Sequence, residues 1–102
     1  KSVVERRAQD IIDPQLAIVE KLKVEFDRGR VLVDWQDVSG ATGYQVARWD
    51  DTLEKWIFIS RSLIQSECHD LLPVRKATNT YRVRAIVGEA LGPWSNAVHI
   101  NL

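Results

Sequence analysis

Methionine is absent from these 102 residues and cysteine occurs once, as Cys68. A lone thiol excludes an intrachain disulfide, and with it the cross-sheet bridge of antibody-type sandwiches. The redox compartment stays open on this ground, because a secreted domain need not carry disulfides. Net charge is missing too: 14 Lys and Arg are balanced by 14 Asp and Glu. No overall field draws in a polyanion, so nucleic acid is not expected as a partner. No apolar run approaches the ~20 residues that cross a bilayer, and no basic start, apolar middle and cleavage site follow one another at the N-terminus. Direct membrane insertion is not expected. With no Asn-x-Ser/Thr sequon in the chain, N-glycosylation is not expected either. The lack of methionine, with Lys1 at the start, reads as a piece or processed form of a longer protein.

What remains is enough for one domain able to bury roughly two-thirds of its unfolded surface. From Val31 onward the runs VLVDW, YQVARW, WIFIS, YRVRAIV and NAVHI alternate in polarity and are separated by turn residues. This spacing predicts an antiparallel β-sandwich. Before them, Leu22, Val24 and Phe26 alternate with Lys23 and Glu25, and the turn Asp27-Arg28-Gly29-Arg30 joins that strand to Val31, Val33 and Trp35. Residues 1–13 follow another period. Val4, Ala8, Ile11 and Ile12 share one face of a helical wheel, Ser2 and Glu5 form a capping-box pair, and Pro14 ends the segment. A short amphipathic helix or linker is predicted there, with 14–102 as the domain. That apolar face is a candidate contact for packing or for oligomerisation.

Trp35, the string GATGYQV at 40–46, Leu71 with Pro73, YRVRA at 81–85 and GPWSNAV at 92–98 together resemble a fibronectin type III domain. The resemblance covers about residues 14–102 and implies an all-β, immunoglobulin-like sandwich of seven strands. It also implies that Trp35 and Tyr81 are core residues and that the Tyr81 hydroxyl ties back to the preceding loop. One departure is the longer step from Pro73 to Tyr81, filled by VRKATNT. A narrower similarity links YRVRA and GPWS to the membrane-proximal domain of cytokine receptors, where strand arginines interleave with the tryptophans of a WSxWS box. Only the first WS is present, so the sequence predicts one cation over one ring, Arg82 or Arg84 against Trp94.

Nothing in the pattern points to catalysis. Cys68 and His69 are adjacent on a strand and face opposite ways, so they do not form a nucleophile and base pair. No spacing suggests a metal or cofactor site, and Asp50 and Asp51 read as turn residues. The surplus is aromatic. Once Trp35, Tyr44, Phe58 and Tyr81 are placed inside, Trp49, Trp56 and Trp94 are left over, with Arg48, Arg82 and Arg84 on or near the same sheet. These six residues are the candidate interaction surface, since aromatic and arginine side chains dominate binding hot spots. The sequence thus predicts a non-catalytic protein-interaction or spacer module of a larger extracellular or cell-surface protein. The alternative is a structural module of an assembly such as a phage tail or virion protein, or an accessory module of a bacterial carbohydrate-active enzyme.

Overall fold

The structure is a computed structural model and describes residues 11–102. Nine strands follow one another among them: β1 (Ile11–Ile12), β2 (Lys23–Asp27), β3 (Arg30–Asp34), β4 (Gly43–Asp50), β5 (Lys55–Leu63), β6 (Glu67–Asp70), β7 (Thr78–Val87), β8 (Ala90–Leu91) and β9 (Val98–Asn101). One sheet runs β2-β3-β6. The other runs β1-β8-β7-β4-β5, with β9 also paired to β7. Alternation explains how they pack: Val31, Val33 and Trp35 from one sheet meet Tyr44, Val46, Tyr81, Val83 and Ala85 from the other in a single core. Trp35 stands edge-on to Tyr44 at 5.3 Å.

Two expectations are corrected. Ile11 and Ile12 do not continue a helix but pair in parallel with Ala90 and Leu91, and Asp13 N–H donates to Leu91 C=O at 2.8 Å. Their β-branched side chains suit an extended backbone, and an exposed three-turn helix has little intrinsic stability to oppose that pairing. Val4 and Ala8, the rest of the supposed helix face, lie outside the described residues. Seven strands become nine because β1 is added and because Ala90–Leu91, between the expected sixth and last strands, forms the short strand β8, which the segment Gly92-Pro93-Trp94-Ser95-Asn96-Ala97 separates from β9.

The turn between β2 and β3 is as tight as its residues allow. Asp27 pairs with Arg30, leaving Arg28 and Gly29 as a two-residue loop with φ of 58° and 83°. Both angles positive is the type I′ geometry whose twist matches a hairpin.

Candidate functional site

The outward face of the larger sheet carries five of the six predicted surface residues. On β4 the outward positions are Gln45, Ala47 and Trp49, and on β7 they include Arg82 and Arg84. Pairing sets them in rows: Trp49 opposite Trp56, Ala47 between Phe58 and Arg82, Gln45 opposite Arg84. Small Ala47 leaves room above the sheet for the long side chains on either side of it.

Trp94 reaches this face through the irregular segment after β8. Ser95 N–H donates to Val83 C=O at 2.8 Å, and the Ser95 hydroxyl accepts from Val83 N–H at 3.0 Å. One serine thus satisfies both backbone groups of a buried strand residue where the chain has left regular pairing. Its neighbour is thereby turned outward over β7.

The result is a stack. Trp49 and Trp56 meet edge-to-face at 5.5 Å. The Arg82 guanidinium lies between Trp56, at 4.0 Å, and Trp94, at 4.2 Å; Arg84 covers Trp94 at 4.2 Å. Phe58 tilts toward Trp94 at 6.1 Å and carries Arg61 at 4.0 Å on its ring. Each such contact contributes about 0.5–2 kcal/mol, more where water is excluded. The sequence predicted one cation on one ring; the structure builds a ladder, because Trp56, from a different strand, supplies a second ring to Arg82. Phe58, assigned to the interior by sequence, stands outward and half-buried within it, and Arg61 was not singled out at all.

Burial lowers the pKa of Arg82 and of Arg84, and a neighbouring positive charge adds to it, from Arg84 in the first case and Arg61 in the second. Arg84 spends its Nε–H on Gln45 Oε1 at 2.9 Å, whereas the buried Nε of Arg82 has no partner.

Arg48 is not part of this surface. It follows Tyr44 and Val46 on the inward side of β4, where its Nη1 donates to Asp70 Oδ2 at 2.5 Å and to Leu72 C=O at 3.1 Å. The Tyr81 hydroxyl donates to the same Asp70 oxygen at 2.7 Å, and Leu72 N–H donates to Oδ1 at 3.2 Å. Asp70 on β6 therefore clasps β4 and β7 of the opposite sheet. The expected tie of Tyr81 to preceding residues is present, but it ends on a carboxylate rather than in the loop. The long VRKATNT loop is held separately: Asn79 accepts from Val74 N–H and donates to Val74 C=O, both at 2.8 Å.

The remaining candidates are accounted for by local structure. Asp50 Oδ1 accepts from Leu53 N–H at 2.8 Å, and Asp51 Oδ1 accepts from Trp49 Nε1–H at 2.6 Å, so both carboxylates shape the β4–β5 turn. Cys68 faces the core, and burial, aided by Asp70 and Glu67, pushes its thiol up to about 12.

No protein-family model matches the chain, and no curated protein matches it in sequence. Solved structures do. An Fn3-like protein from Clostridium thermocellum superposes with a TM-score of 0.71 at 17% identity, covering 84% of this chain and 90% of that one. A myokine structure gives 0.72 at 14% identity, covering 85% and 97%. The twitchin kinase region from C. elegans gives 0.73 at 10% identity, covering 87% of this chain but 17% of that longer one. The fold thus occurs both nearly alone and as one module of a large chain. Strand order, the core around Trp35 and Tyr81 and these superpositions agree: the chain has the fibronectin type III fold.

Proposed function

We propose that the chain is a non-catalytic interaction module of a larger extracellular or cell-surface protein, and that Trp49, Trp56, Arg82, Arg84 and Trp94 form its contact face. The observation that carries this reading is the stack itself. Its three indoles are half-buried rather than buried, although a domain of this size has a complete core without them. Rigid aromatic and arginine side chains presented in one patch bury apolar area and offer directed donors while losing little conformational freedom. The test is crosslinking of the parent protein on intact cells, with Trp49→Ala/Trp56→Ala beside the unaltered protein. The double variant keeps cooperative unfolding and loses the crosslinked species; crosslinks that persist overturn the reading.

A role in an assembly, as a tail or virion component or an accessory module of a carbohydrate-active enzyme, rests on a different observation. Ile11 and Ile12 are each 53% exposed on an edge strand. Light scattering with and without residues 1–13 tests it: an oligomer that dissociates on truncation supports assembly, and a monomer in both cases rejects it.

A further inference from the structure

We infer that the Arg61, Arg82 and Arg84 side of the ladder docks an extended acidic polypeptide segment, whose carboxylates meet the guanidinium edges while its apolar side chains lie on Trp94 and Phe58. The inference rests on the interaction reading above and names the chemistry of the partner.

Stacking uses the flat face of a guanidinium and leaves its edge N–H groups directed away from the ring. Three such cations share one face, and among the described residues none has a carboxylate within ion-pairing distance. The other two arginines in an ion pair are treated differently: Arg48 is matched to Asp70 and Arg28 to Asp27. Like charge and burial together make the uncompensated cations of this face costly, as the lowered pKa values of Arg82 and Arg84 register. A negative partner relieves that cost where a neutral one adds to it. The Arg82 guanidinium is held 4.0 Å from the Trp56 ring and 4.2 Å from the Trp94 ring, and that of Arg84 4.2 Å from Trp94, so the donors a carboxylate needs are positioned in advance. Interleaved half-buried rings and a zero net charge favour a polypeptide over a sulfated polysaccharide, which is held by long cationic tracks.

The experiment titrates the full chain with a short peptide of Glu and Phe, with its Lys-for-Glu counterpart, and with a heparin-type oligosaccharide. Binding is followed by tryptophan fluorescence and by amide shifts at Arg61, Arg82, Arg84 and Trp94. The Glu peptide saturates, the Lys peptide does not bind, and raising salt to roughly 1 M, where charges are screened beyond about 3 Å, abolishes the effect. Arg61→Glu weakens binding about tenfold, the size of one charge-assisted hydrogen bond. Arg61 is exposed, so Arg61→Glu keeps cooperative unfolding and lowers the midpoint by no more than the loss of its contact with the Phe58 ring. No binding of the Glu peptide, shifts elsewhere on the molecule, indifference to Arg61→Glu, or tighter binding of the oligosaccharide each overturn the inference. If the peptide fails while Trp49→Ala/Trp56→Ala still abolishes crosslinking of the parent, the acidic partner falls and the interaction reading stands.

Discussion

Asp70 shows how much of this domain hangs on single side chains. It is 3% exposed and accepts from Arg48, Tyr81 and Leu72 at once. Removing its charge strands the Arg48 guanidinium, whose side chain is 11% exposed, without a counterion. Asp70→Asn is therefore expected to cost about 3–5 kcal/mol, whereas Tyr81→Phe, which deletes one hydrogen bond, costs about 1 kcal/mol. Urea unfolding of the two variants checks both values, and equal losses would mean that the carboxylate is not the hub. Apart from the tie of Tyr81 to preceding residues, none of this was legible in sequence. Alternation puts Arg48 on the inner side with Tyr44 and Val46, yet a charged residue beside Trp49 reads as surface until its partner, 22 residues away, is seen. The core positions Trp35, Tyr81, Val83 and Ala85 were legible, because strand periodicity fixes which face an apolar residue takes.

Among the elements, the β2–β3 hairpin was the most readable, since a two-residue turn with glycine at its second position leaves few alternatives. Its weak point is Arg28, a non-glycine residue held at φ 58°. Arg28→Asn is expected to stabilise the domain by a few tenths of a kcal/mol, because asparagine tolerates this region better. Gly29→Ala, at φ 83°, costs about 1–2 kcal/mol although a methyl there meets nothing within 4 Å. Thermal unfolding of both variants checks the opposite signs, and a neutral Gly29→Ala would show that the turn relaxes at little cost. Ile11 and Ile12 were misread for the opposite reason. A short apolar pattern fits two periods, and their partner strand β8 lies near residue 90, beyond any local signal. The ladder was half legible: its residues were named, but the order of stacking depends on cross-strand register, which no single segment encodes.

For the molecule as a whole, two weak acids, buried Tyr81 and partly buried Cys68, make stability depend on alkaline pH. The Cys68 thiol is held at about 12 against an ordinary 9.0. Tyr81 is raised above its ordinary 10.0 by burial and by its hydrogen bond to Asp70. Above about pH 9 the unfolded chain releases these protons while the folded chain retains them, so stability is full below that pH and declines between pH 9 and 12. Urea midpoints at about pH 8 and about pH 10.5 measure the decline. The midpoint is expected to fall at the higher pH and to fall less in Cys68→Ala; equal midpoints would mean that both groups titrate freely in the folded state.

The path of the chain through the larger sheet also bears on mechanics. Ile11 is in register with Ala90, opposite Val87 at one end of β7, and Asn101 is opposite Thr78 at the other. Nine residue steps, roughly 30 Å, separate these two points of attachment. Tension applied between Ile11 and Asn101 runs along the strands, while the ladder bonds that resist it lie across them. The load is taken in shear, by several bonds together, rather than by peeling them open in turn, and Asp70 passes part of it to the second sheet.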